Sequence, residues 1–201
     1  MLASYKFGKC LAIVFAIGMI MILPQFISAQ GASVSVNPVF TVTDPPQLVG
    51  GATSTLVRTN NGISMELTTS GLEPGAYTIW FVVFNNPDAC FLGPDMCGLA
   101  DEDFEVGGPT RFGFTYAAGH IVNDSGGATF AGHLKTGATL LNDDLELDEV
   151  LENARTAEIH LIVRYHGPAV PGRIPEQIRT GEFDNPNVFD LQFAVNPPPA
   201  P

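Results

Sequence analysis

From residue 33 onward, apolar and polar positions alternate with a period of two. That is the spacing of strands with one buried face. Val34, Val36 and Val39 lead into Phe40-Thr41-Val42-Thr43. Asp44-Pro45-Pro46 ends this segment, because proline has no N–H for a ladder. Thr55–Arg58 and Ile63–Thr68 flank Asn60-Asn61-Gly62, a hairpin signal. Ala76–Phe84 is a continuous apolar run holding Trp80-Phe81-Val82-Val83-Phe84, which predicts a central strand covered on both faces. Further strands are expected at Arg111–Tyr116, His120–Asn123, Ala128–Leu134, Ala157–Tyr165 and Val188–Val195. In the last two, the inward sets are Ile159, Leu161, Val163, Tyr165 and Phe189, Leu191, Phe193, Val195. One helix is expected over Asp143–Ala154, where Leu147, Val150, Leu151 and Ala154 follow helical spacing and Asp143 or Asp144 caps the start. Eight to ten short strands without βαβ alternation predict a mainly β protein. The expected form is an antiparallel Ig-like or Greek-key β-sandwich with one short helix.

The first thirty residues break the pattern. Lys6 and Lys9 precede an uncharged apolar run, Leu11–Leu23; Pro24 interrupts it, and Ile27-Ser28-Ala29 offers a cleavage junction. This is the layout of a secretory signal peptide spanning residues 1–29, and it predicts a secreted, periplasmic or cell-surface protein. Thirteen residues of helix rise about 20 Å, short of a hydrocarbon slab of about 30 Å, so no membrane-spanning segment is expected after cleavage. A single domain over residues 30–196 then ends in a proline-rich tail, residues 197–201.

Charge narrows the partners. The chain holds 9 Lys+Arg against 21 Asp+Glu. Removing Lys6 and Lys9 takes the balance to 7 − 21 = −14. Nucleic acid demands a basic patch that this composition does not supply. A cell-surface protein or a glycan is the partner class left open. Cys90 and Cys97 are the two cysteines that remain after cleavage, and in an oxidising compartment they read as one disulfide. They fall within Asn85–Glu105, a loop long enough to be stapled or functional.

No assembled catalytic motif is present, and the chain reads as a non-catalytic binding or structural module. Asp124-Ser125-Gly126-Gly127 is a turn rather than a protease nucleophile, since no base and orienting acid accompany it. Asn123-Asp124-Ser125 is also a glycosylation sequon. Four histidines carry the metal alternative: His120, His133, His160 and His166, as ligands for copper or zinc. If Gly126-Gly127 were a two-residue turn, His120 would face His133 across a hairpin; a four-residue turn would separate them. Calcium is the weaker metal candidate, at Asp101–Glu105 ahead of Asp143–Glu152, and neither cluster has EF-hand spacing. Glu158 and Arg164 alternate with the apolar positions of their strand and are candidate contacts for an anionic or sugar-like ligand. A carbohydrate or small-ligand site in the 85–105 loop is a further alternative.

Two resemblances accompany this reading. Leu72-Glu73-Pro74-Gly75-Ala76-Tyr77-Thr78 resembles the turn-into-strand of many secreted sandwich domains. Ala157-Glu158-Ile159-His160, with His166-Gly167-Pro168-Ala169 downstream, resembles the Ala-x-Ile-His…Gly-Pro-Ala signature of the chordin-like CHRD domain. The mature chain, especially Tyr77–Cys90, looks like a group of uncharacterised exported microbial β-sandwich proteins. These likenesses imply an extracytoplasmic β-sandwich. Through the similarity of the CHRD fold to copper/zinc superoxide dismutase, they also imply the metal alternative.

Overall fold

The alternating segments become strands where their apolar sets share a core. In the computed structural model these are β1 (Ser33–Thr41), β2 (Leu48–Thr59), β3 (Gly62–Thr69), β4 (Gly75–Phe84), β5 (Phe112–Val122), β6 (Ala128–Lys135), β7 (Thr139–Leu140), β8 (Glu149–Val150), β9 (Glu158–Tyr165) and β10 (Phe189–Asn196). The structure describes residues 31–94, 97–102, 107–141, 149–181 and 189–199. The expected signal peptide lies outside them. Among the described residues, no helix is long and apolar enough to cross a membrane.

Eight strands form one antiparallel sheet in the order β5-β4-β9-β10-β1-β2-β3-β6, and β7 and β8 pair separately. The single sheet rolls until its two ends approach, so the architecture is a nearly closed barrel rather than two separately hydrogen-bonded sheets. The ends meet at the 123–127 turn, where the His120 and Phe130 rings lie 6.0 Å apart. β4 is central, as its apolar run predicts: β5 flanks it on one side and β9 on the other. Leu56, Ile63, Leu67, Ile79, Phe81, Val83, Phe130, Ile159, Leu161 and Val163 share the interior. At the Asn60-Asn61 hairpin, Gly62 has φ 149° and brings β3 so close to β6 that a Cβ there would overlap the Leu134 carbonyl.

Two expectations are overturned. Residues 149–154, the described part of the expected helix, are not helical. Glu149–Val150 instead pairs with Thr139–Leu140, and Leu151 and Ala154 enter the barrel core. Tertiary burial outweighs a helical pattern of only a few turns. Among the described residues the one short α-helix is α1 (Ile174–Gln177). In β10 the inward set is Gln192, Ala194 and Asn196, while Phe193 and Val195 lie on the outer face. A register shift between Asp190 and Gln192 marks a bulge in that strand. Inside, Gln192 accepts from Thr69 and donates to the Ser70 carbonyl; Asn196 accepts from Ser54 and Asn37. These bonds satisfy polar groups in the interior.

The barrel end near residues 154–157 is closed by a buried cation. Arg58 is 1% exposed. Its Nη1 donates to the carbonyls of Ala154 and Ala157, both at 2.7 Å, and its Nη2 to those of Asn196 (2.7 Å) and Pro197 (3.0 Å).

Candidate functional site

The outer face of β5-β4-β9 carries a second layer of side chains. Trp80, Val82 and Phe84 alternate outward from β4, as Phe112 and Phe114 do from β5 and Ile162 from β9. The 85–111 loop folds back over one end of this face. Cys90 and Cys97 are joined by a disulfide and pack with Val82, Phe84 and Phe112. Asp101 fastens the loop: Oδ1 accepts from the Phe91 N–H (2.6 Å) and Oδ2 from the Gly98 N–H (2.9 Å). The other end is covered by residues 168–181. There Gln177 donates to the carbonyls of His166 and Pro168, and Gly181 rests against the Trp80 ring.

Between the two covers runs a polar stripe on β9. Glu158, His160, Ile162 and Arg164 occupy alternate positions on one face. Glu158 Oε1 accepts the backbone N–H of Cys97 (3.1 Å) and Nε2–H of His160 (2.7 Å). Nδ1 is the ring nitrogen that lies outside this bond. His160 is 8% exposed and stacks at 5.2 Å from Phe84. Two positions beyond Ile162, Arg164 meets its cross-strand partner Asp190 through two bonds, Nε to Oδ1 at 2.6 Å and Nη2 to Oδ2 at 3.1 Å. Both members are about one-third exposed. Glu102 arrives from the loop, and burial, followed by the charge of Asp190, pushes its pKa up to about 7. The stripe thus sets an imidazole, a guanidinium bonded to Asp190 and to the Gly181 carbonyl, and three carboxyl groups beside the apolar edge of Ile162 and Phe114.

Of the sequence-predicted residues, Glu158, His160 and Arg164 share this stripe, and the Cys90–Cys97 loop roofs its first member. The histidines do not converge. His120 pairs with Tyr77 on β4, and His133 pairs with Ser64 on β3, whose hydroxyl is 3.0 Å from Nδ1. The turn closes with a Gly126 N–H to Asn123 carbonyl bond, which is the four-residue form, and His120 stands opposite Phe130 instead of His133. His166 is fully buried, with its Nε2 2.7 Å from the Thr78 hydroxyl, which also accepts from the Trp80 indole. Burial, and then Arg164, lower the His166 pKa to about 4, so the ring is neutral at pH 7. Among the described residues, no group of three or more His, Cys, Asp or Glu is placed to hold a metal ion.

The described members of the acidic clusters are engaged elsewhere, and Asp143–Asp148 lie outside the described residues. Asp101 serves the loop backbone; Asp103 and Glu105 lie outside the described residues. Glu149 and Glu152 of the second cluster are held by Arg111, with Nη2 at 3.1 Å and 2.7 Å. Ser125 donates to the Asn123 side chain at 2.6 Å within an exposed turn. Sequence reasoning misses Asp190, Thr78 and Gln177, and takes Glu102 only as part of a calcium candidate. Only the β9–β10 register identifies Asp190 as the partner of Arg164; Thr78 sits in the predicted central strand without a signal that it meets His166, and Glu102 and Gln177 come from segments without strand periodicity.

Comparison with family models, with curated proteins and with solved structures returns no match.

Proposed function

We propose that the chain is an exported, non-catalytic binding module whose β9–β10 stripe takes a neutral glycan or similar polyol. The supporting observation is the alternation of Glu158, His160, Ile162 and Arg164 along one face, with Asp190 beside Arg164. Hydroxyl groups need donors and acceptors in close succession, and a sugar's C–H face needs an apolar neighbour. The Arg164 guanidinium donates, Asp190 accepts, the His160 ring adds a second polar edge, and Ile162 with Phe114 supplies the apolar one. Export and a cell-surface or extracellular setting belong to the same reading, from the residue 1–29 pattern and the Cys90–Cys97 disulfide. So does the likeness to CHRD-type and exported microbial sandwich domains, with the two halves of the rolled sheet taken as the two layers of a sandwich.

The test is calorimetric titration of the purified protein with soluble neutral oligosaccharides. Saturable binding is expected, weakened at least about 10-fold by Arg164→Met, since a hydrogen bond to a charged group is worth about 1.5–3 kcal/mol. No binding at millimolar sugar, or binding indifferent to Arg164, rejects the site. Reproducible turnover abolished by one side-chain change rejects the non-catalytic reading.

A further inference from the structure

The register continues an apolar row around the outside of the barrel. Tyr116 pairs with Trp80, Trp80 with Ile162, Ile162 with Phe193, Phe193 with Phe40, and Phe40 with Leu48. Directly paired residues share a face, so the row crosses six strands on the outer surface. On β5, β4 and β9 the chain covers this row itself, with the disulfide loop and residues 168–181. On β10, β1 and β2 the row lies open. Val34, Val36 and Leu48 are 62%, 63% and 64% exposed. Val34 pairs with Val57, and Phe40 stacks on Phe193 at 5.8 Å.

β1 reverses the usual order of a strand in water. Its valines Val34 and Val36 face out, while Ser33, Ser35 and Asn37 face in. The Ser33 and Ser35 hydroxyls are buried with no hydrogen-bond partner among the described residues. A one-residue slip would exchange the two sets. This arrangement leaves an apolar face exposed while burying polar groups, a cost that burial of the outer face offsets.

Charge selects what covers that face. Residues 31–57 and 189–199 carry two charged side chains, Asp44 and Asp190, and Asp190 is paired with Arg164. Two copies repel each other wherever acids line the surface, but here the one charge on the strands is an ion pair at the edge of the face, so the centre can be buried without desolvating an unpaired charge. We propose that the β10-β1-β2 outer face docks on the same face of a second copy, related by a two-fold axis, with Val34, Val36, Leu48, Phe40 and Phe193 at its centre. A two-fold contact needs a self-complementary patch, and an uncharged apolar sheet face is one. Three strands spaced about 4.8 Å apart and about 30 Å long present roughly 400–500 Å² per copy. The total, roughly 800–1,000 Å², is that of a weak, reversible dimer.

Sedimentation equilibrium of the protein, with its recovered form fixed by intact mass, tests this. The weight-average mass is expected to rise from one chain towards two between about 1 and 100 µM. Salt at 0.5 M should leave the association unchanged or strengthen it by screening the net negative charge. Val34→Lys/Val36→Lys, both at exposed positions, should remain one chain across the range with an unchanged far-ultraviolet spectrum. If the native protein stays one chain at 1 mM, the proposal is wrong. A single-chain form retaining residues 1–29 rejects it too. A dimer that persists in the double variant, or that dissociates in salt, places the interface elsewhere.

Discussion

Arg58→Met removes the one buried Lys or Arg among the described residues while keeping most of its volume. Four carbonyl oxygens lose their donor, those of Ala154, Ala157, Asn196 and Pro197. The first three belong to residues no more than 1% exposed. Hydrogen bonds to charged groups contribute about 1.5–3 kcal/mol each, so the gross loss is about 6–12 kcal/mol. Against this stands the cost of burying the charge. Burial lowers the guanidinium pKa to about 10, partly opposed by Glu158. That displacement corresponds to about 3 kcal/mol recovered when the charge is removed. A net destabilisation of about 4 kcal/mol is expected, at the low end because carbonyls accept from water as the end of the barrel loosens. Urea unfolding at pH 7, followed by tryptophan fluorescence, gives the number directly, with m-values compared to confirm that the unfolded reference is shared. Hydrogen exchange should quicken first at 154–157 and at Asn196. A loss below about 1 kcal/mol, or a gain, would show that burying the charge costs as much as its four bonds return.

Three further outcomes follow from the same geometry. His166 holds its proton less tightly folded (about 4) than unfolded, so its contribution, up to about 3 kcal/mol, is present above pH 6.5 and lost as pH falls towards 4. Glu102 is raised to about 7 and acts oppositely: its contribution is present below its unfolded value and lost as pH rises through 7. Denaturant midpoints of the native protein should therefore vary little between pH 4.5 and 6.5 on account of this pair, whereas Glu102→Gln should expose a rise with pH of up to about 1.4 kcal/mol per unit; equal slopes in both proteins contradict it. Gly119→Ala should cost about 1–3 kcal/mol, because its Cβ would overlap the Ile178 carbonyl, and limited proteolysis should then cut within 168–181 before the barrel opens; an unchanged cleavage order counts against this packing. Cys90→Ser/Cys97→Ser should lower stability by about 2–3 kcal/mol, the chain-entropy value for so short a loop, with a barrel spectrum unchanged; a loss of the whole fold would mean that the loop builds the core rather than covering it.

Strand segments were legible because their periodicity is local. Ile159, Leu161, Val163 and Tyr165 point inward as their spacing implies, and the Cys90–Cys97 pairing needed only proximity and compartment. Phase and closure were not legible. β10 reads equally well in two phases. A bulge and the hydrogen-bonding needs of Gln192 and Asn196 put Phe193 outside, and no count of apolar residues reveals that. Arg111–Tyr116 and His120–Asn123 read as two strands because Ala117-Ala118-Gly119 carries no strand signal. They form one β5 around a register shift between Ile79 and Trp80 of its partner. The helix expected over 143–154 is absent from its described part, residues 149–154, for a related reason. Glu149 belongs to a buried grip with Arg111, and that partner lies 38 residues away. The site was half legible: Glu158, His160 and Arg164 are on one strand, whereas Asp190 and Glu102 join them through long-range folding alone.

The 123–127 turn has an unusual position. It links consecutive strands that sit at opposite ends of the sheet order, so the cylinder is slit lengthwise exactly where the backbone crosses it. Cutting the chain there, and rejoining it through the two original termini, would sever a connection without removing a rung from any ladder. The slit also gives the girth of the cylinder one line along which it can relax, held by side chains such as Ala117 against Gly132 instead of by peptide groups.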